Sequence, residues 1–325
     1  MDNKRLEQLL LTVQKPGRYS GGEMGSIIKD KSKVDVRFAF CFPDTYEIGM
    51  SHLGMKILYS QFNAREDIWC ERVFAPWLDF EEVMRQNNIP LFALESRDPI
   101  KDFDIIAFSI GYEMAYTSVL NMIDLAGLPI KSVDRTDDMP LIVAGGTTCF
   151  NSEVLSDFVD LFFLGEGEEV DPEVFELYRK FRDDGKSKSE FLVEAAKIRG
   201  VYVPSLYNVE YNDDGTIFAI TPKNGAPEIV YKRIVENFDE SYFPTETVIP
   251  STEIVHDRVV QEVFRGCIRG CRFCQACMIY RPVREKTPDV LNEQAKCIFE
   301  NTGYEEISLA SLSISDYTGL PELTD

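Results

Sequence analysis

The sequence predicts an α/β protein: a doubly wound parallel sheet, then a second and shorter strand–helix–strand unit. Three observations predict it. Short apolar runs alternate with amphipathic stretches from residue 34 to residue 185, the pattern of parallel strands covered by helices on both faces. Several of these runs end in glycine, as in FDIIAFSIG and PLIVAGG. The alternation restarts at residue 256, after a proline-punctuated stretch that lacks it.

Residues 1–33 read as an N-terminal helix and a glycine-containing loop, GRYSGGEMG. VDVRFAFCF (34–42) is a buried strand, and PDTYEIG after it a loop. Helical spacing of apolar residues marks 51–63 and 78–88. IPLFALE (89–95), 103–111 and 140–146 are expected as strands and 159–169 as a strand running into a Gly/Glu loop, with helices at 116–128, 152–158 and 172–185. Residues 186–255 form a connector with a helix and a small hairpin around NDDG. From 256 to 325 the chain supplies a strand (257–266), a helix (287–303) and a strand (305–317). Thr287 stands at that helix's N-cap, Pro288 at its first position and Gly303 at its end.

Lys and Arg number 34 against 55 Asp and Glu, a net charge of −21. Such a field repels polyanions and disfavours a nucleic-acid partner. The dense cations are Arg265, Arg269, Arg272, Arg281 and Arg284, expected to offset acidic neighbours. No apolar run reaches membrane-span length and the N-terminus lacks a signal peptide's pattern. The expectation is a cytoplasmic protein without a membrane partner, in which clustered cysteines serve metal or redox chemistry. Cys41, Cys70, Cys149 and Cys297 are scattered and read as small core residues.

In a sheet of this class ligands sit beyond the carboxyl ends of the strands. The candidate positions there are Gly111, Gly145, Gly146, Gly165, Glu166, Gly167 and Glu168. Glycine lets backbone approach a ligand closely. The other candidate site is EVFRGCIRGCRFCQACMIYR (262–281), which holds Cys267, Cys271, Cys274 and Cys277. Thiolates suit zinc or iron–sulfur clusters. A structural zinc site draws ligand pairs from separate knuckles, whereas all four thiols here share one loop.

Cys267-x3-Cys271-x2-Cys274, directly after a strand and with Phe273 before the third cysteine, resembles the radical S-adenosylmethionine (SAM) superfamily. The resemblance implies a 4Fe–4S cluster held by these three cysteines, SAM on the open fourth iron, and an external one-electron reductant. Reductive cleavage of SAM would give a 5′-deoxyadenosyl radical. Cys277 stands outside the motif; as a fourth ligand it would close the open iron, and the spacing favours a bystander. FDIIAFSIG, LIVAGGTT, SDFVDLFFLGEGEE and GVYVPSLY, in that order, resemble the cobalamin-binding-type Rossmann-like domain (34–185) that precedes the barrel in one class of the superfamily. The cofactors implied are the cluster and SAM, with cobalamin left open. The DxHxxG lower-ligand motif is missing, and His52 reads as a helix-start residue.

Where the superfamily often carries GGE on the second barrel strand, this chain has LASLSISDY. Ser313 and Ser315 are the candidate SAM contacts, beside Ser311 and Asp316. Residues 256–325 supply only the start of a partial (β/α) barrel, so the chain is expected to be the front of a longer protein. The leading expectation is a radical SAM enzyme of unnamed substrate. The alternatives are a non-catalytic zinc or iron–sulfur module, and a methyltransferase or methylthiotransferase acting on RNA or protein.

Overall fold

Val36–Phe42 shows how the chain builds its centre. Phe38, Phe40 and Phe42 pack into one apolar cluster, while Ala39 and Cys41 pack into another. Side chains alternate faces along a strand, so this apolar run is covered on both sides. The computed structural model describes residues 3–324. Its first half contains α1 (Asn3–Leu10), β1 (Val36–Phe42), α2 (Tyr46–Gly49), α3 (Leu53–Asn63), β2 (Ile68–Phe74), α4 (Leu78–Asn87), β3 (Ile105–Ser109) and α5 (Tyr116–Leu125). β4 (Leu141–Gly145), β5 (Leu161–Phe163), α6 (Gly167–Asp183), α7 (Lys188–Ala195) and β6 (Val201–Tyr202) follow. The hairpin β7 (Tyr207–Tyr211) and β8 (Ile217–Pro222) comes next. The last part contains β9 (Val259–Glu262), β10 (Phe264–Arg265), α8 (Ala276–Ile279), β11 (Arg284–Glu285), α9 (Pro288–Thr302), β12 (Ile307–Ala310) and α10 (Leu320–Thr324).

The central sheet has the order β2-β1-β3-β4-β5-β6. Its first five strands are parallel, and β6 pairs antiparallel with β5. Helices α3, α6 and α7 cover one face through residues such as Phe62, Phe175 and Phe191. α1, α4 and α5 cover the other through Leu6, Met84 and Met122. The doubly wound α/β expectation therefore holds for this half. Among the described residues no helix is long and apolar enough to cross a membrane.

Four expectations need correction. IPLFALE does not form a strand, because its amides turn to separate acceptors: Leu91 to Leu125, Ala93 to Asp98, and Leu94 to Arg72. The strand missing from the sequence reading is β2, IWCERVF, whose central Glu71 and Arg72 interrupt the apolar run. Both are nonetheless buried, since Glu71 pairs with Arg37 and Arg72 lies between Glu23 and Glu95. The helix expected at 152–158 is instead a run of tight 3-10 turns over Thr147–Leu155. The strand expected over 305–317 ends at Ala310 and gives way to a 3-10 turn at Ile314–Asp316. There Tyr317 turns inward, stacks on Phe264 and donates to the Lys286 carbonyl.

The second unit pairs β9 with β12 in parallel, with α9 as the crossover. Thr287 does occupy the N-cap of α9, yet its side chain and amide bond to Asp239 rather than to the helix. Gly303 closes α9 in the left-handed conformation, as expected.

Candidate functional site

The strand order reverses its direction of growth between β1 and β3, and sheets of this order bind ligands above that point. A cavity of about 440 Å³ lies there. Its floor is the carboxyl edge of the sheet, including Phe38 and Phe40 of β1 and Phe163 of β5. Its roof comes from the second unit: Phe264 to Gly266, Ile279 to Tyr280, and Ala310 to Leu312. The volume suits a small ligand.

All seven predicted positions on the sheet's edge line this cavity, in different ways. Gly146 and Gly165 have φ of +111° and +115°. A Cβ at Gly146 would stand 2.5 Å from the Ile110 carbonyl oxygen, and one at Gly165 would run into the backbone of Arg233. Gly111 faces open space and Gly145 an ordinary contact with Phe163. Gly167 opens α6, and a Cβ there would stand 2.8 Å from an oxygen of Asp171.

The carboxylates of Glu166 and Glu168 are engaged across the gap between the two units. Glu166 accepts from Arg284 at 2.5 and 2.7 Å and from the Val235 amide at 2.6 Å. Glu168 accepts from Arg265, which also binds Glu262. Burial alone would push the Glu166 carboxyl up, but Arg284 and Arg265 outweigh it and hold it below its usual value. Arg265 and Arg284 thus offset acidic neighbours, as does Arg269 with Asp316.

The cysteine loop leaves β10 and returns at β11, which pair antiparallel. Gly266 begins it with φ +94°, where a Cβ would lie 2.8 Å from the Pro282 oxygen. The loop's far end is fastened to the first half. Tyr280 and Thr147 share a hydroxyl–hydroxyl hydrogen bond, and Lys232 donates to the carbonyls of Ile279 and Arg281. Cys271 is exposed, Cys267 and Cys274 are half-buried, and Phe273 is 93% exposed. Cys277 is buried and its thiol turns back to the Cys274 carbonyl at 3.4 Å.

Residues 54–204 match the family described as "Radical SAM proteins, N-terminal". The first half of this chain is thus similar to the N-terminal region of radical SAM proteins. The uncharacterized protein MJ0966 of Methanocaldococcus jannaschii is 25% identical over 292 residues, which are 90% of this chain and 52% of that protein. TsrM of Kitasatospora setae, a radical SAM methyltransferase solved with tryptophan and a SAM analogue, superimposes with a TM-score of 0.51 at 9% identity. That match covers 87% of this chain and 49% of TsrM. The chain thus spans about half the length of the relatives it matches.

The donor chemistry of the loop fits an iron–sulfur cluster: three thiols on one loop, with the fourth turned inward. Among the described residues no three His, Cys, Asp or Glu side chains are gathered closely enough to hold a single metal ion. A cubane cluster asks for something different, one thiolate at each of three iron corners. Of the predicted SAM contacts, Ser313 and Ser315 do not line the cavity, whereas Ser311 does, with a buried hydroxyl that lacks a partner. Asp316 pairs with Arg269. His52 caps α3 by accepting from the Met55 amide at 3.2 Å.

Sequence reasoning missed three lining groups: Asp171, Tyr280 and Thr147. Asp171 had a readable signal, since it stands between Val170 and Val174 on the buried stripe of α6. The Thr147–Tyr280 contact spans 133 positions and leaves no local trace.

Proposed function

We propose that the full-length protein is a radical SAM enzyme in which Cys267, Cys271 and Cys274 hold a 4Fe–4S cluster and SAM binds beside it. One observation carries the reading. The segments that bracket the cysteine loop, Phe264 to Gly266 and Ile279 to Tyr280, are also walls of the cavity above the sheet. A cluster bound there supplies, from an external reductant, the electron for cleavage of SAM's sulfonium carbon–sulfur bond.

The chain's own residues do the positioning. Thr147, Lys232 and the Glu166–Arg284 pair fix the loop's far end against the sheet. The aromatic and aliphatic side chains of Phe38, Phe40, Ile57 and Phe163 keep the floor apolar and exclude water. Ser311 presents an unspent hydroxyl to the ligand space. Gly146 and Gly165 are spent on close approach to the Ile110 and Arg233 backbone, and Gly111 alone of the strand-end glycines borders open space, so the glycines by themselves make no case for a large cofactor of the cobalamin kind. Such a cofactor would be held without a DxHxxG histidine.

The two alternatives find less support. A four-thiol zinc site would need Cys277, whose thiol is buried and bonded to the Cys274 carbonyl. RNA would need free arginines, and of the five around the cysteine loop Arg265, Arg269 and Arg284 are paired with acids, which leaves Arg272 and Arg281.

The test is anaerobic purification of the full-length protein, with iron, sulfide and cobalt measured. Iron and sulfide near four each per chain are expected, together with 5′-deoxyadenosine from SAM under reduction. Replacing Cys267, Cys271 and Cys274 by alanine should remove both. Iron retained in that variant, or absent from the parent, overturns the reading. Cobalt content decides the cobalamin part separately.

A further inference from the structure

The cavity wall holds one acid that nothing in the protein satisfies. Asp171, on the second turn of α6, is 6% exposed and lines the cavity. Its Oδ1 is buried without a hydrogen-bond partner. The other lining acids are engaged: Glu166 with Arg284, and Glu168 and Glu262 with Arg265. The lining cations are engaged too. Lys232 donates to two carbonyls, and Arg233 to Glu169 and Glu173. An anionic ligand would find no unspent cation there among the described residues, whereas a cationic one finds Asp171.

We propose that Asp171 is the recognition group for a ligand that brings a protonated nitrogen, as ammonium, amidinium or guanidinium, into this cavity. The inference rests on the cavity being the ligand space of the proposed enzyme and adds the chemistry of what enters. A charge-assisted hydrogen bond would satisfy the orphan oxygen and is stronger than a neutral one. Glu168, one turn earlier on α6, adds negative potential that favours the same sign of ligand. The chain's net charge of −21 favours approach of cations over anions.

Burial, and then Glu168, push the Asp171 carboxyl well above its usual value, which favours its protonated form in the ligand-free cavity. On binding, the Asp171 O–H bond breaks, its proton leaves to solvent, and the carboxylate pairs with the cation. If the ligand arrives as a neutral amine or amidine, the same proton passes to its nitrogen, with no other reactant needed.

The test uses three probes of one shape: benzamidinium, benzamide and benzoate. Binding to the full-length protein is followed by ligand-observed NMR. Benzamidinium should bind at least about tenfold more tightly than benzamide, a difference of about 1.4 kcal/mol. Benzoate should bind least. Asp171→Asn should erase the benzamidinium preference. Equal affinity for benzamidinium and benzamide, or a preference that survives Asp171→Asn, overturns the proposal. Should that variant fail to fold, the parent protein labelled with [4-13C]aspartate still decides. Benzamidinium should convert one protonated aspartate band to carboxylate in the infrared difference spectrum, and no such conversion is the contrary result. Iron content reports on the cluster and probe selectivity on Asp171, so either reading can fail alone.

Discussion

Arg72 is a cation with almost no water around it, 2% exposed and held by Glu95 at 2.6 Å and Glu23 at 2.9 Å. Burial works against its charge, yet Glu95 and Glu23 prevail and raise its affinity for the proton. Arg72→Met would leave two carboxylates in a dry site without their cation. The expected cost is about 3–5 kcal/mol, read as a lower urea midpoint. Asp171 is the opposite case, a buried acid without a cation. Burial raises its carboxyl above the unfolded value of about 3.9, so folding takes up a proton between those two values. Stability contributed by this group is full below about pH 4 and declines as pH rises toward the folded value. Asp171→Asn should therefore melt higher than the parent at pH 8, by an amount that shrinks toward pH 4. A melting series across that range checks the sign. Arg72 was poorly legible in the sequence, because a charge inside an apolar stretch does not announce its partner; the place of Asp171 on the buried stripe of α6 was readable, but its lack of a partner was not.

At the level of elements, the glycines of the strand ends divide into two kinds. Gly165 combines φ +115° with the Arg233 backbone pressed against it. Gly111 has neither constraint. Gly165→Ala should cost about 1–3 kcal/mol, and Gly111→Ala under about 0.5 kcal/mol, as compared by thermal unfolding. The sequence shows both as glycine after a strand and cannot separate them, since the distinction lies in what packs opposite. Strand β2 was missed for a related reason. Its outer edge is closed by contacts from elsewhere: Asn63 exchanges hydrogen bonds with Cys70, and the Leu94 amide reaches the Arg72 carbonyl. By contrast β3 and β4, and β1 from Phe38 onward, were legible because their apolar runs are unbroken and face two cores at once.

Over the whole molecule, the sheet and the cysteine-bearing unit meet through a small set of polar contacts. Glu166, Arg265 and Arg284 are each about nine-tenths covered at the side chain. Glu166→Ala would leave Arg284 without its acid, while Arg265 keeps Glu168 and Glu262, and protease cleavage of the connector between residues 223 and 258 should quicken by at least about tenfold. Because Arg284 and Arg265 hold the Glu166 carboxyl low against its burial, this contact is present above the unfolded carboxyl value of about 4.3. It weakens as pH falls through the lower folded value. Hydrogen exchange of residues 267–281 should accordingly rise in acid before that of the sheet core.

The sequence by itself determined the doubly wound sheet, the strand-to-cysteine-loop order and the three-thiol spacing. Each is written in neighbouring residues, through side-chain period and motif distance. Only the tertiary structure decided that Cys277 turns inward, that Glu166 and Glu168 bind arginines of the second unit, and that Asp171 is left unpaired in the cavity. Those outcomes depend on which charges meet across long stretches of chain and on how much water is excluded where they meet. Neither quantity is encoded at any single position.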